Sequence, residues 1–216
     1  MTVKLGVIGS AGRRDDARRM SAELYEAMLV ELEAIIASQG VSHLVSGGAA
    51  FGDHLAVTMF KRGAVSELTL FLPAPFDRTK QEFLSSPRDF GGAGNTTNRY
   101  HRAFSKACDI DSLADIGSVL TKAHINVGHG FKDRNQMVAG DVDGLAAFTF
   151  GPLRENEPAV RTFTPDDDGF NSHKDAGLKD GGTAHTWGEA WKVKSKHHIN
   201  LSILEFQLAN RPRLTP

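Results

Sequence analysis

Glycine-rich turns are the part of this sequence whose residue types best suit ligand chemistry. Three of them occur, as GSAGRR (9–14), SGGAAFGD (46–53) and DGGTAHT (180–186). Each is predicted to follow a strand and to precede a helix, and in open α/β sheets ligands bind at the carboxyl ends of the strands. Glycine lets a phosphate approach the backbone, and a helix N-terminus offers it free N–H groups. The turns predict one anion site, with tight connections between elements as the alternative explanation.

Hydroxyl and carboxyl groups within these turns are candidate ligand contacts. Four hydroxyl residues lie in or beside the turns: Ser10, Ser46, Thr183 and Thr186. Their hydroxyls either bond phosphate or ribose oxygens or cap the helices that follow. Asp53 begins a predicted helix, so its carboxylate either complements the helix dipole or bonds a ribose hydroxyl.

Other polar and aromatic residues have two interpretations each. The segment GNTTNRYH (94–101) either reads a base or sugar across the sheet edge or, through Thr97 and Asn98, caps the following helix. His185 lies between Thr183 and Thr186, and histidine is a residue type suited to acid–base chemistry, so it is either a ligand contact or general acid, or an exposed capping residue. Trp187 either packs within its helix or stacks on a ligand.

Alternating strand and helix patterns indicate the elements that must position these residues. Strands are predicted near 3–8, 42–46, 67–72, 144–150 and 198–204, with a short one within 124–131. Helical patterns occupy 21–38, about 53–62, 98–107, 112–122 and 133–140, and another begins near Thr183. This order predicts an α/β, Rossmann-like three-layer fold with a mainly parallel sheet and helices on both faces. We interpret 1–216 as one domain with insertions at about 74–130 and 152–179, the second a polar surface excursion.

Composition restricts the class of function. The chain has 216 residues, a net charge of −1 and 8% aromatic residues, which argues against a basic, aromatic-lined groove for nucleic acid. Cys108 is the single cysteine, so no intramolecular disulfide or Cys-based zinc site can form. Apolar runs are too short to cross a bilayer, so no membrane contact is predicted and a cytoplasmic location is expected. The histidines lack the spacing of metal ligands, and we predict neither a metal nor a cofactor.

Three motifs give a more specific resemblance. SGGAAFGDHLAV is similar to the GGAxGxDxxA stretch of DprA-like and YspA-like proteins of the SLOG superfamily. GFKDRNQMVAGDVDGLAAFTFG is similar to that group's Arg-Asn-x-x-Met pattern followed by an aspartate and an apolar strand. DGGTAHTW resembles its Gly-Gly-Thr phosphate turn. The chain thus resembles the SLOG superfamily, with most of 74–130 and 152–179 outside the match.

The resemblance implies a Rossmann-like sheet that holds a nucleotide, often in a homodimer. In the LOG branch it implies phosphoribohydrolase activity, in which an arginine and a glutamate act on an N-glycosidic bond. Arg134 matches the arginine, whereas Thr186 stands where that branch has glutamate and Asn135 where it has lysine. Glu189, almost one helical turn further on, is the nearest carboxylate, and such cleavage needs a carboxylate near the anomeric carbon.

These considerations lead to one set of candidate site residues. Arg134 and Glu189 are the candidate catalytic residues, with Asp141 or Asp143 expected to orient Arg134. The candidate ligand-binding residues are Gly9, Ser10, Ser46, Gly47, Gly48, Gly52, Asp53, Asn135, Gly181, Gly182, Thr183, His185 and Thr186. The expected function is binding of a nucleotide or nucleotide-derived molecule, with N-glycosidic hydrolysis as a possible chemistry. The alternatives are a non-catalytic nucleotide sensor and, less favoured, a DprA-like binder of single-stranded DNA.

Overall fold

A seven-stranded sheet forms the centre of the computed structural model, which describes residues 2–85, 92–154 and 156–211. The sheet strands are β1 (Val3–Gly9), β2 (Val41–Ser46), β3 (Glu67–Leu72), β6 (His124–Val127), β7 (Gly144–Thr149), β8 (Val160–Phe163) and β9 (Ser195–Asn200). Their order is β6-β3-β2-β1-β7-β9-β8, and every pair is parallel except β8 with β9. The short strands β4 (Phe76–Asp77) and β5 (Glu82–Phe83) form a separate antiparallel pair.

Helices connect these strands. They are α1 (Ala22–Gln39), α2 (His54–Lys61), α3 (Ala93–Cys108), α4 (Ser112–Val119), α5 (Gly130–Gly140), α6 (Asp168–Asn171), α7 (Gly182–Glu189) and α8 (Leu201–Ala209), with a 3₁₀ helix at Arg14–Arg18. The bounds of α1 follow from its ends. Ser21 accepts a hydrogen bond from Leu24 N at the start, and Gly40 adopts φ 62° at the stop, a conformation that glycine enters without steric cost.

Hydrophobic residues of the central strands alternate between two cores. Leu5 and Val7 of β1 belong to the larger core, which includes side chains from α1, α2, α3, α4 and α8. Ile8 points the other way, into a second core with side chains from α5 and α7. Because successive side chains of a strand face opposite sides, both faces of the sheet are covered. The predicted three-layer α/β fold is confirmed.

The end of the chain differs from its prediction as a strand over 198–204. The strand β9 runs from Ser195 to Asn200, and α8 begins at Leu201. The side chain of Asn200 accepts a hydrogen bond from Ser202 N and so starts the helix. The predicted strand is present over 198–200, and its extension over 201–204 was wrong because a short apolar run has no periodicity that separates a buried strand from a buried helix.

The second insertion, 152–179, is not the surface excursion that its composition predicts. Within it, β8 pairs with β9, and α6 follows. Phe163, Phe170 and Leu178 are buried in the second core. The third glycine turn therefore follows this packed segment rather than a strand. A few buried apolar side chains among many polar ones dock the segment, and average composition does not show this pattern.

Smaller differences concern helix bounds. The helix predicted at 98–107 is α3 and begins at Ala93, and the helix predicted at 133–140 is α5 and begins at Gly130. In both cases the polar first turn lacks the apolar spacing on which the prediction relied. Among the described residues, no helix combines the length and apolar character required to span a membrane.

Candidate functional site

The three glycine turns meet at the carboxyl end of β1. The Thr183 hydroxyl donates to the Gly9 carbonyl at 2.9 Å, which joins the third turn to the first. Gly52 N donates to the Ser10 carbonyl at 3.0 Å, which joins the second turn to the first. Together with the starts of α3, α5 and α7, the turns surround a cavity of about 600 Å³.

Some of the glycines serve close packing between the turns. A Cβ atom on Gly9 would lie 2.7 Å from the Gly52 Cα, so neither residue can carry a side chain without separating the turns. Gly47 makes room for a different neighbour, since its Cβ would overlap the Arg134 guanidinium. Gly47 and Gly52 thus shape the cavity from behind its surface, whereas Gly9 is part of its lining.

Arg134 and Asp53 form a buried ion pair at the cavity. Arg134 Nη1 lies 2.8 Å from Asp53 Oδ2, and the two side chains are 9% and 4% exposed. Burial raises the pKa of Asp53, while Arg134 and the N–H groups of Gly9 and Ala49 oppose that rise. The Arg134 Nε atom is buried and lacks a hydrogen-bond partner among the described residues.

The expected partners of Arg134 are engaged elsewhere. Asp141 pairs with Lys4 Nζ at 2.6 Å, and Asp143 accepts from Lys4 N at 3.0 Å. The prediction that Asp141 or Asp143 orients Arg134 was therefore wrong. Sequence proximity favoured them, but α5 presents Arg134 to the second glycine turn, where Asp53 lies 81 residues away along the chain.

Cationic side chains outnumber carboxylates around the cavity. The cationic lining residues are Arg13, Arg14, Lys132, Arg134 and Lys179, and the acidic ones are Asp16, Asp53 and Asp180. Each carboxylate is paired: Asp16 with Lys179 at 2.8 Å, Asp53 with Arg134, and Asp180 with His173. Arg13, Arg14 and Lys132 are exposed and form no ion pair within the described chain. The cavity consequently carries an excess of unpaired positive charge.

The helices α3 and α5 add a less polar wall. Thr96, Thr97 and Tyr100 of α3 and Phe131 of α5 line the cavity. The Thr97 hydroxyl is used within its helix, where it donates to the Ala93 carbonyl at 2.8 Å.

Two polar residues of the segment 94–101 have structural roles instead. The Asn98 amide both donates to and accepts from the Phe83 backbone, and so ties α3 to β5. His101 is fully buried, with its Nδ1 hydrogen-bonded to the Ser112 hydroxyl and its Nε2 to the Gly48 carbonyl. The segment thus contributes Thr96, Thr97 and Tyr100 to the cavity, whereas Asn98 and His101 are not part of its lining.

Most of the predicted site residues share the cavity. Its lining includes Gly9, Ser10, Asp53, Arg134, Asn135, Gly181, Gly182, Thr183, His185 and Thr186. Sequence reasoning missed the contributions of Arg13, Arg14, Asp16, Tyr100, Phe131, Lys132 and Lys179. Arg13 and Arg14 lie within or next to the first turn, so their charge was an available signal. The other five residues belong to helices or to the second insertion. The sequence does not show which of the side chains in these segments face the cavity.

Four predicted ligand-binding residues lie outside the lining. Ser46 is fully buried, and its hydroxyl donates to the Asp53 carbonyl at 2.9 Å. Gly47 and Gly52 pack against Arg134 and Gly9, as described above. Gly48 adopts φ +63°, and its carbonyl accepts from His101. As ligand contacts these assignments were wrong, because the turn that carries the four residues curves behind the cavity and presents Ala49, Ala50 and Asp53 to it.

Glu189 is also outside the lining, although it was a candidate catalytic residue. Its carboxylate is 44% exposed and lies 3.6 Å from His185 Nε2. The helix α7 is short, and Glu189 is its last residue, whereas the cavity lies at the first turn of the helix. Glu189 thus contacts a residue of the cavity lining but is not part of the lining itself, and its catalytic role stays a prediction. Trp187, for its part, is fully buried, with Nε1 donating to the Gly169 carbonyl.

Within the described segments, no group of three or more His, Cys, Asp or Glu side chains is arranged to hold a metal ion. The buried His197 and His198 instead bond to neighbouring side chains, including Thr162 and Thr149.

Comparison with known proteins places the chain beside a viral relative. The chain is 31% identical over 209 residues to "Uncharacterized protein R261" of Acanthamoeba polyphaga mimivirus, across 93% of this chain and 97% of the viral one. This chain belongs to the family of that mimivirus protein. No family model matches the sequence. The alignment covers nearly the whole length of both chains.

Proposed function

We propose that this member of the mimivirus protein's family binds a nucleotide or a nucleotide-derived small molecule. The observation that carries the proposal is the cavity of about 600 Å³, lined by three glycine turns and an excess of cations. Its position at the carboxyl ends of parallel strands is where such sheets bind ligands. Its volume is in the range of sites for small molecules, about 300–1,000 Å³.

The phosphate of such a ligand is expected at the start of α7. No side chain caps this helix at Gly181, which adopts φ 136°. An anion can take the place of the missing cap, because the first N–H groups of a helix have no partner within it. Arg13 and Arg14 of the first turn line the same cavity, and the Lys179–Asp16 pair connects the 3₁₀ helix that follows this turn to the segment before α7.

The hydrogen bonding of the carboxylates in the cavity favours ligand binding without N-glycosidic cleavage over hydrolysis. Asp53 is the carboxylate beside Arg134, but its oxygens already accept from Gly9 N and Arg134. Asp16 is likewise held by Ser10 and Lys179, and Asp180 is hydrogen-bonded to His173. Hydrolysis needs a carboxylate free to stabilise the oxocarbenium-like transition state, and Glu189 lies outside the cavity. The proposal therefore favours a nucleotide sensor over a phosphoribohydrolase.

Membership of the SLOG superfamily, a homodimer and a cytoplasmic location are further proposals, and all three rest on the motif resemblance or on composition. Light scattering on the purified protein tests the dimer directly. A monomeric mass at high protein concentration would remove that part of the proposal.

Calorimetric titration with nucleoside 5′-monophosphates tests the main proposal. We expect AMP to bind, to bind more weakly as salt is raised, and to bind more tightly than adenosine, since the phosphate meets Arg13 and Arg14. An Arg13→Ala/Arg14→Ala variant should bind AMP about tenfold or more weakly, because charged hydrogen bonds contribute roughly 1.5–3 kcal/mol each. An Arg62→Ala variant, which removes an exposed arginine outside the cavity lining, is the matched control.

Two results would contradict the proposal. Failure of all nucleoside mono- and diphosphates to bind, with binding of single-stranded DNA instead, would favour the DprA-like alternative. Release of free base from AMP, detected by chromatography, would show that the site is catalytic.

A further inference from the structure

Phe131 is an aromatic side chain that the fold leaves open to the cavity. The described residues include six exposed large hydrophobic side chains: Val30, Leu84, Val127, Phe131, Leu153 and Trp191. Among these, Phe131 alone lines the cavity, and it is 37% exposed. Exposing an aromatic ring to water has a free-energy cost, which a planar ligand stacked on the ring would remove.

The position of Phe131 relates it to the phosphate turn. Phe131 precedes Asn135 by four residues in α5, so both lie on one face of the helix. Asn135 Nδ2 donates to the Gly182 carbonyl at 3.2 Å, which is where α5 touches the third turn. Four helical residues rise about 6 Å, a distance comparable to the span of one ribose with its 5′ carbon. A base on Phe131 and a phosphate on the turn would thus suit a nucleoside monophosphate.

Polar groups without partners lie beside this aromatic surface. The Arg134 guanidinium carbon is 5.9 Å from the Phe131 ring centroid, and Arg134 Nε is buried without a hydrogen-bond partner among the described residues. Thr96 and Tyr100, four residues apart in α3, also line the cavity. No hydrogen bond involves either hydroxyl in the described chain, although the Thr96 backbone N–H is bonded. Both hydroxyls can therefore donate to or accept from a ligand.

We propose that the ligand is a nucleoside 5′-monophosphate whose base stacks on Phe131, with Thr96 and Tyr100 at the edge of the base. This inference rests on the proposed function and adds the orientation of the ligand and the residues that select it. The base then lies at the α3–α5 wall, and the phosphate lies at the α7 turn. Since stacking accepts any base, the hydroxyls of α3 supply the preference among bases.

Paired titrations with AMP and with ribose 5-phosphate test the stacking. Ribose 5-phosphate keeps the phosphate and sugar and lacks the base. We expect Phe131→Leu to weaken AMP binding by about ten- to a hundredfold, the effect of losing one base–aromatic stack, and to leave ribose 5-phosphate binding unchanged. Phe131→Trp should restore AMP affinity to within about threefold of the wild type, since it restores a stacking surface.

Trp191→Leu is the matched control, because Trp191 is an exposed aromatic residue outside the cavity lining. It should change neither affinity. Thermal melts of all variants, compared with the wild type, check that each is folded. Titration of Thr96→Val and Tyr100→Phe with the four nucleoside 5′-monophosphates should alter the ranking of the bases.

Each contrary outcome has a distinct meaning. Equal weakening of both probes by Phe131→Leu, or no weakening of either, would overturn the stacking. Wild-type protein that binds AMP and ribose 5-phosphate equally would also overturn it, while the anion site would stand. Wild-type protein that binds neither probe would instead remove the proposed function itself.

Discussion

Arg134 and Asp53 illustrate how one residue pair serves both the fold and the site. Their ion pair connects α5 to the second glycine turn, and each side chain is more than nine-tenths buried. Removing one member of such a pair leaves an uncompensated charge away from water. The pair therefore couples the stability of the molecule to the geometry of its cavity.

Arg134→Ala is expected to lower the free energy of unfolding by about 3–5 kcal/mol, because Asp53 would be left buried and unpaired. Urea denaturation of the variant and the wild type measures the difference. The double variant Arg134→Met/Asp53→Asn should recover most of the loss, since asparagine still accepts from Gly9 N without a charge. A single variant as stable as the wild type would mean that the pair contributes little to folding.

At the scale of elements, helix ends decide where the site residues lie. The helix α7 begins at Gly182 without a side-chain cap, which leaves its first N–H groups open toward the cavity. The helix α8, by contrast, begins with a complete cap at Asn200. The uncapped helix is the one at the cavity, and the capped helix packs in the first core.

Asn200→Ala is expected to lower the free energy of unfolding by roughly 1–3 kcal/mol. The Asn200 side chain accepts from Ser202 N and donates to the Pro152 carbonyl at 2.8 Å, so the variant loses a helix cap and a buried hydrogen bond. Asn200→Ser, the matched control, keeps a short acceptor for Ser202 N and lacks the amide donor for the Pro152 carbonyl, and should have an intermediate effect. Chemical denaturation of the three proteins gives the order. Equal stability of the alanine and serine variants would show that the cap contributes nothing.

At the scale of the whole molecule, buried histidines set the acid stability. Burial lowers the pKa of His101 and of His198 to about 4, and lowers the pKa of His54 as well. These rings are neutral in the folded protein, whereas in the unfolded chain a histidine takes up a proton near pH 6.5. Their contribution to the free energy of unfolding is thus complete above about pH 6.5, and it is lost as the pH falls from there toward about 4.

A titration of stability against pH tests this for His101. Each unit of pKa shift corresponds to about 1.4 kcal/mol, so the contribution of His101 should fall by roughly 2 kcal/mol between about pH 7 and about pH 5. His101→Gln keeps a donor for the Gly48 carbonyl and cannot titrate in this range. Urea unfolding at both pH values should show a smaller decrease for the variant. An identical decrease in the two proteins would mean that His101 is protonated equally when folded and unfolded.

The sequence alone determined the class of fold and the location of the site along the chain. Apolar runs such as 3–8 and 144–150 predict buried strands. Glycine turns follow the strands predicted at 3–8 and 42–46, and these turns predict a site at the strand ends. These properties are local, because strand patterning and turn chemistry depend on neighbouring residues. The predicted contacts of Gly9 and Thr183 with one cavity come from this local information, whereas that of Arg134 came from the motif resemblance.

Only the tertiary structure decided which side chains face that cavity. Ser46 and Glu189 carry suitable groups, but one is buried behind the second turn and the other lies at the far end of α7. Asp53 became the partner of Arg134, although Asp141 and Asp143 are much closer in sequence. The direction of a side chain depends on the rotation of each helix and on the register between distant segments. Packing of both cores sets those quantities, and no local pattern encodes them.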